Sequence, residues 1–362
     1  MTTASPSVLL GRPRRFELSP VARRRWQIFC AHRRGYYSLW IFTALFIASL
    51  GAELIANDRP ILLYHQGSLH VPVFVTYTEQ SLGGELPIAA NFHDPHITEL
   101  LEAGGGWAIW PPIRFSYRTI DYGIDQPVPA PPSARHWLGT DDAARDVLAR
   151  LIYGFRLSVS FGIALTILAS IIGISVGALQ GYFGGMTDLL GQRVVEIWSG
   201  LPILFVLIIL GSLVEPNFGW LLATLVLFSW MTLVGVVRAE FLRARNLDFV
   251  RAARALGVSD LTIMRRHVLP NAMVASLTFL PFILNGAITT LTALDFLGFG
   301  LPPGSPSLGE MLAQAKANLH APWIGLSGFF TLALMLILLI FIGEAVRDAL
   351  DPRRTVVGGG RG

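Results

Sequence analysis

Long apolar runs separated by short polar segments set the pattern of this chain. The first is residues 36–56, YYSLWIFTALFIASLGAELIA, and others follow at 155–180, 189–213, 218–238, 271–294 and 323–343. Each reaches the roughly 20 residues of helix that cross a bilayer core. The pattern predicts an all-α polytopic membrane protein of six transmembrane helices, with a long insert between helices 1 and 2. Tyr36, Tyr37 and Trp40 would form an interfacial aromatic belt on the first span. That run is too long for a signal peptide, and no clear small-residue cleavage site follows it.

The polar segments divide the rest. Residues 1–35 read as a basic cytoplasmic arm, 57–154 as an external module with its connector, 155–345 as the core, and 346–362 as a cytoplasmic tail. Within the insert, VPVFVTYT at 71–78 is strand-like and ITELLEAGGG at 97–106 reads as a short helix ended by glycines. PVPAPP at 127–132 is a stiff connector back to the core.

Composition agrees with the membrane class: 52% of residues are hydrophobic and 14% charged, against roughly 25% charged in soluble domains. The formal charge of +4 lies in two arginine-rich sets, one before residue 35 and one from Arg238 to Arg266. Neither is interleaved with aromatics as a nucleic-acid surface would be, so no nucleic-acid partner is expected. Both suit the positive-inside rule and put the amino and carboxyl termini in the cytoplasm. The segment 57–154 has eleven acidic residues against six arginines and would lie outside. A single cysteine, Cys30, leaves no intramolecular disulfide or thiolate metal cluster.

Energy must come from elsewhere. A nucleotide P-loop needs GxxxxGK followed by Ser or Thr, and the one lysine, Lys316, follows no glycine-rich loop. The loop at 239–270 is long, basic and mildly amphipathic. Ala252, Ala253, Ala255 and Gly257 form a small-residue patch, while Leu256, Val258, Leu261 and Met264 offer apolar side chains for a partner. It reads as a short helix, a glycine bend, a second short helix and a span led by Pro270. Read on residues alone, an amphipathic helix lying on lipid headgroups fits as well.

This loop resembles the Glu-Ala-Ala, x3, Gly, x9, Ile-x-Leu-Pro signature of bacterial ABC-importer permeases. Ala252, Ala253, Gly257, Leu269 and Pro270 fall in register, while Arg251 stands in place of the glutamate and His267 in place of the isoleucine. HWLGTDDAARDVLARLIYG (136–154), LDFLGFGLPPGSPSLGEML (294–312) and DALDPR (348–353) resemble segments of the dipeptide and oligopeptide branch, with Ala144 where glycine is usual. DPHITELLEAGGGWAIWPPIRFSYRTID (94–121) resembles the insert of the Yej-type peptide and microcin C importer permeases.

The resemblance implies a type I ABC importer permease fold with a periplasmic insert, in the bacterial inner membrane. It implies half of a translocation pathway for peptides, without enzymatic activity. The partners would be an ATPase subunit, a second related permease, a periplasmic substrate-binding protein and the peptide. No cofactor is expected on this chain; ATP and Mg would be bound by the ATPase. Arg251, Ala252, Ala253, Gly257, Val258, Leu261, Leu269 and Pro270 would form the coupling contact, with an acidic residue of the ATPase facing Arg251. An ion-driven transporter would need inverted repeats and several midplane ionisable residues. A membrane hydrolase would need a catalytic constellation that is not evident in the spans.

Three further features carry two readings each. Ala169, Gly173, Gly177 and Gly181 recur every fourth residue, as a sliding face or as static packing. Glu196 would line the conduit or pair with Arg193 one turn earlier. His93 and His96 suggest a metal pair, yet no third ligand is evident and a surface turn is the expected reading. Asp295 is expected to be solvated at its helix end, and Arg156 to snorkel from the start of the second span.

Overall fold

The computed structural model describes residues 19–103, 105–214 and 216–351. The first half of the arm and the tail from residue 352, including Arg353 and Arg354, lie outside the described residues.

Ser19 caps α1 (Pro20–Ala31) by accepting from Ala22 N, so the end of the arm is helical rather than irregular. Phe29 of α1 packs under Ala345 and Ala349. The first predicted span is α2 (Arg33–Leu50), interrupted at Gly51 and resumed for one turn as α3 (Ala52–Ile55).

The insert is not all-helical, which corrects the all-α class. Strands β1 (Leu62–His65), β2 (Ser68–His70) and, after α4 (Pro95–Ala103), β3 (Trp107–Ile109) form an antiparallel sheet in the order β2-β1-β3. Gln66 and Gly67 both have positive φ, the two-residue turn that suits the right-handed twist of a hairpin. The expected strand at 71–78 is a series of turns instead; Val73 is buried while Phe74 and Val75 are exposed. No continuous period-2 face forms there. Leu63, Leu82, Ala90, Phe92 and Ile97 make the module's own small core. A second cluster, Ala52, Ala56, Ile113, Phe115, Ala149 and Tyr153, joins it to the membrane helices.

The second span starts eight residues before its predicted bound. Asp146 caps α5 (Val147–Phe183) through Ala149 N, so the charged stretch before residue 155 is already helix. The third predicted span is broken: α6 (Gly185–Ser199) and α7 (Ile203–Leu213) meet at 71° across Gly200-Leu201-Pro202. Pro202 cannot continue the ladder, which explains the break. Next come α8 (Phe218–Ser229) and α9 (Met231–Ala244), one apolar length with a joint at Trp230.

The cytoplasmic-type loop is shorter than its predicted 239–270 bounds, because α9 runs on to Ala244. It contains α10 (Asp248–Ala255); α11 (Asp260–Thr262), a wide-turn segment Ile263–Val268 and α12 (Leu269–Phe296) then run as one continuous helix. With the wide-turn segment before it already helical, Pro270 stands in the first turn of α12, as expected. Its missing N–H and its clash with the carbonyl four residues back account for the widened turn before it. The chain closes with α13 (Leu308–Ala317) and α14 (Pro322–Leu350), the latter taking up the first residues assigned to the tail.

Among the described residues, four helices are long and apolar enough to cross a membrane, or five with the bent α6–α7 pair. Helix α2 has the length, 18 residues, but the two arginines at its start and its polar first turns keep it from being apolar enough over that length. At most 44% of each crossing window is buried. Large apolar side chains such as Ile171, Leu179, Ile197 and Phe330 point outward. In water such a surface would aggregate; in lipid it costs nothing.

Candidate functional site

The corner between α9 and α12 is built by local chemistry. Asp248 stands in the first turn of α10, where the helix dipole favours an anion. Gly257 ends the helix at φ +75: its N–H donates to Arg254 O at 3.0 Å and Val258 N–H to Ala253 O at 3.1 Å. This is the paired-bond glycine stop, and a side chain at that φ would be strained. Val250 and Ala253 bury against Phe241, Ile263 and Val268. Met264 joins that core, contrary to the expectation that it reaches outward. Leu256 and Leu261, at 83% and 62% exposure, are left protruding on either side of Gly257.

The remaining motif positions divide in the same way. Ala252 and Pro270 are exposed, and Val258 and Leu269 are half-buried against the corner's core. Arg251 turns back: its Nε and Nη2 donate to Asn246 O at 3.0 and 2.8 Å, closing the turn into α10.

A tether that the sequence did not announce connects this corner to α5. Tyr182 OH donates to Asp260 Oδ1 at 2.5 Å and accepts from Arg254 Nη2 at 3.1 Å. The Arg254 guanidinium also lies 5.4 Å from the Tyr182 ring centroid. Hydrogen bonding to Tyr182 holds the Arg254 pKa above its ordinary value. Tyr182 is 72 residues from Arg254 and 78 from Asp260, too far along the chain for any local pattern to pair them.

Above the tether, the glycine stripe faces α9. A Cβ on Gly173 would lie 2.3 Å from Trp230 O, on Gly177 2.8 Å from Val234 O, and on Gly181 2.5 Å from Arg238 O. Ala169 is buried on the same helix. Only glycine allows the two backbones this close. Beside the lower end, Arg238 Nη2 donates to Asp188 Oδ2 at 2.7 Å.

At the other end of α5 lies a buried polar network. Arg150, with no exposed side-chain surface, donates to Asp141 Oδ2 at 2.7 Å and Ser305 O at 3.0 Å, and lies 3.1 Å from Glu310. Arg145 Nε shares Asp141 at 2.8 Å. His136 is held between Asp146 at 2.8 Å and Asp121 at 3.0 Å, and Arg135 lies 3.1 Å from Asp121. Burial pulls the His136 pKa down, but the bonds to the two carboxylates outweigh it and hold it above its ordinary value. The Asp121 carboxyl is pushed up by burial and more strongly down by Gly123 N–H, His136 and Arg135, ending below its ordinary value.

Other sequence-predicted positions fall as follows. Arg193 Nη1 donates to Glu196 Oε2 at 2.6 Å, both exposed on α6. Asp295 is buried rather than solvated: it accepts from Leu301 N at 2.7 Å and from Ser307 Oγ, because the loop after α12 folds back over the helix end. Arg156 donates to both Glu53 oxygens at 2.8 and 3.0 Å. His93 stacks on Phe115 at 5.3 Å, while His96 is exposed 3.6 Å from Glu79. Among the described residues, no group of three or more His, Cys, Asp or Glu is arranged to hold a metal ion.

The chain matches the family model described as "Binding-protein-dependent transport system inner membrane component" over residues 169–356. It is 59% identical to the inner membrane ABC transporter permease protein YejE of Escherichia coli, covering 94% of this chain and 99% of that protein. It is 55% identical to the peptidoglycan transport system permease protein YejE of Agrobacterium fabrum, over 98% of this chain and all of that protein. The oligopeptide transport system permease protein OppC of Mycobacterium bovis is 36% identical over 68% of this chain.

Proposed function

The chain belongs to the family of binding-protein-dependent transport system inner membrane components, and from that premise we propose how its parts serve import. It is a multi-pass inner-membrane permease subunit of an ABC importer for peptides. The ion-driven and hydrolase readings give way to it. Six crossings are formed by α2 with α3, α5, α6 with α7, α8 with α9, α11 with α12, and α14. Both termini and the α10 corner then lie in the cytoplasm, and the insert with its sheet lies in the periplasm. ATP and Mg are bound by a separate ATPase subunit. A second, related permease completes the conduit, and a periplasmic binding protein delivers the peptide.

The observation that carries the reading is the pair of protruding leucines at a corner that is itself firmly anchored. Leu256 and Leu261 are exposed, while Tyr182, Arg254 and Asp260 fasten the same corner to α5. A push by the ATPase on those leucines reaches α5. At about 1.5 Å per residue, the 32 residues of α5 from Tyr182 back to Arg150 carry it roughly 48 Å to the Arg150 network. The glycine stripe makes α5 and α9 move as one body. Glu196 pairs with Arg193 as a structural contact, and an acidic ATPase residue faces Arg251.

Co-purification of the ATPase with Leu256→Asp tests this. A buried carboxylate without a partner disfavours the contact, so recruitment and ATP-dependent peptide uptake should both fall at least tenfold. Unchanged recruitment would remove the corner from the coupling role.

A further inference from the structure

One cavity, on the module side of α5, is not used by this mechanism. It has a volume of about 430 Å³, and its lining includes His93, Arg114, Phe115, Arg135, Trp137 and Leu148. That volume lies in the ordinary range for small-ligand sites.

Two of the lining rings, His93 and Phe115, stand in a longer column of rings. His136, Phe115, His93 and Trp110 follow one another with centroid separations of 4.4, 5.3 and 5.8 Å. Two guanidinium groups flank the column. Arg114 lies 5.2 Å from the Trp110 ring centroid and Arg135 5.4 Å from that of Phe115. Flat stacking on aromatic rings leaves the N–H edges of an arginine free for an anion. Arg135 shares its charge with Asp121, whereas among the described residues the Arg114 side chain has no hydrogen-bonded or ionic partner beside its ring contact. Among the described residues, His93 Nε2 is buried without a hydrogen-bond partner, an arrangement native interiors rarely leave unfilled.

We propose that this pocket binds the carboxylate end of a short peptide. Arg114 and Arg135 hold the carboxylate, His93 meets the adjoining peptide group, and Phe115, Trp137 and Leu148 enclose an apolar side chain. Charge favours a monoanion: the cavity lining sets Arg114 and Arg135 against Asp146, which leaves one net positive charge for a single carboxylate. Burial lowers the His93 pKa from its ordinary value, which favours the neutral ring. The peptide identity rests on the transport reading above; the carboxylate preference does not.

The test uses the full-length permease in nanodiscs, with binding read by Trp fluorescence and calorimetry. The probes are N-acetyl-phenylalanine, its C-terminal amide and inorganic phosphate. The carboxylate should bind saturably and about tenfold or more tighter than the amide, as expected for a hydrogen bond to a charged group. Arg114→Gln should erase that difference, while Arg118→Gln, which lies outside the cavity lining, should preserve it. Equal binding of carboxylate and amide, absence of saturable binding, or preference for phosphate would each overturn the proposal. The amide comparison needs only the unaltered protein, so a poorly folding variant does not weaken it. Carboxylate binding by a protein whose assembled importer moves no peptide would sink the transport reading and leave the pocket standing.

Discussion

Gly173→Ala sets two physical effects of opposite sign against each other. In an isolated helix, alanine is about 1 kcal/mol better than glycine, so an unpacked position should gain stability. At Gly173 the added Cβ would lie 2.3 Å from Trp230 O, where 3.4 Å is the lower bound of ordinary contact. The shortfall is about 1 Å. It is against a backbone carbonyl, which cannot rotate away as a side chain can. Helices α5 and α9 must therefore separate locally, and a gap of that size forfeits a quarter to a half of each dispersion contact it opens. Overpacking of this kind costs about 1–3 kcal/mol, enough to reverse the propensity gain. The matched control is Gly235→Ala on α9, where a Cβ meets nothing within 4 Å. Thermal unfolding of the detergent-solubilised protein, followed by Trp fluorescence, should put Gly173→Ala several degrees below the parent and Gly235→Ala at or above it. A Gly173→Ala protein that melts with the parent or later would refute the argument that the stripe is a backbone contact.

Two further outcomes follow from the polar networks. Arg150→Met leaves Glu310 without its 3.1 Å partner and Asp141 with Arg145 as its remaining ionic partner. Removing one member of a buried ionic set costs about 3–5 kcal/mol, so folded yield and denaturant midpoint should both drop sharply; an unchanged midpoint would contradict the network. His136 has a raised pKa, so its contribution is complete below its ordinary 6.5 and is lost as pH rises through the folded value. Asp121 has the opposite sign: its contribution is present above its ordinary 3.8 and is lost as pH falls through the depressed value. Hydrogen exchange of residues 110–146 should therefore speed up, beyond the intrinsic rate, on the alkaline side of 6.5. His136→Asn should abolish that step; a step that survives the substitution would assign it to another group.

Sequence alone determined the features that depend on local composition and spacing. Apolar runs located the four helices long and apolar enough to cross a membrane and the bent α6–α7 pair, because lipid selects for continuous hydrophobic length. The fourfold recurrence of Ala169, Gly173, Gly177 and Gly181 placed them on one face, since 3.6 residues make a turn. The loop around Gly257 was legible because its alanines, glycine and proline are spaced by backbone requirements. Where those local rules stopped, the expectations slipped. The Gly200-Leu201-Pro202 break was absorbed into an apolar count, and the helix start at Val147 was hidden by charged residues whose partners lie far along the chain. Only the tertiary structure joined Arg150 to Ser305, Tyr182 to Asp260 and His136 to Asp121. A buried charge is tolerated only where its partner also arrives, and that arrival is decided by the packing of whole helices rather than by any neighbour in sequence.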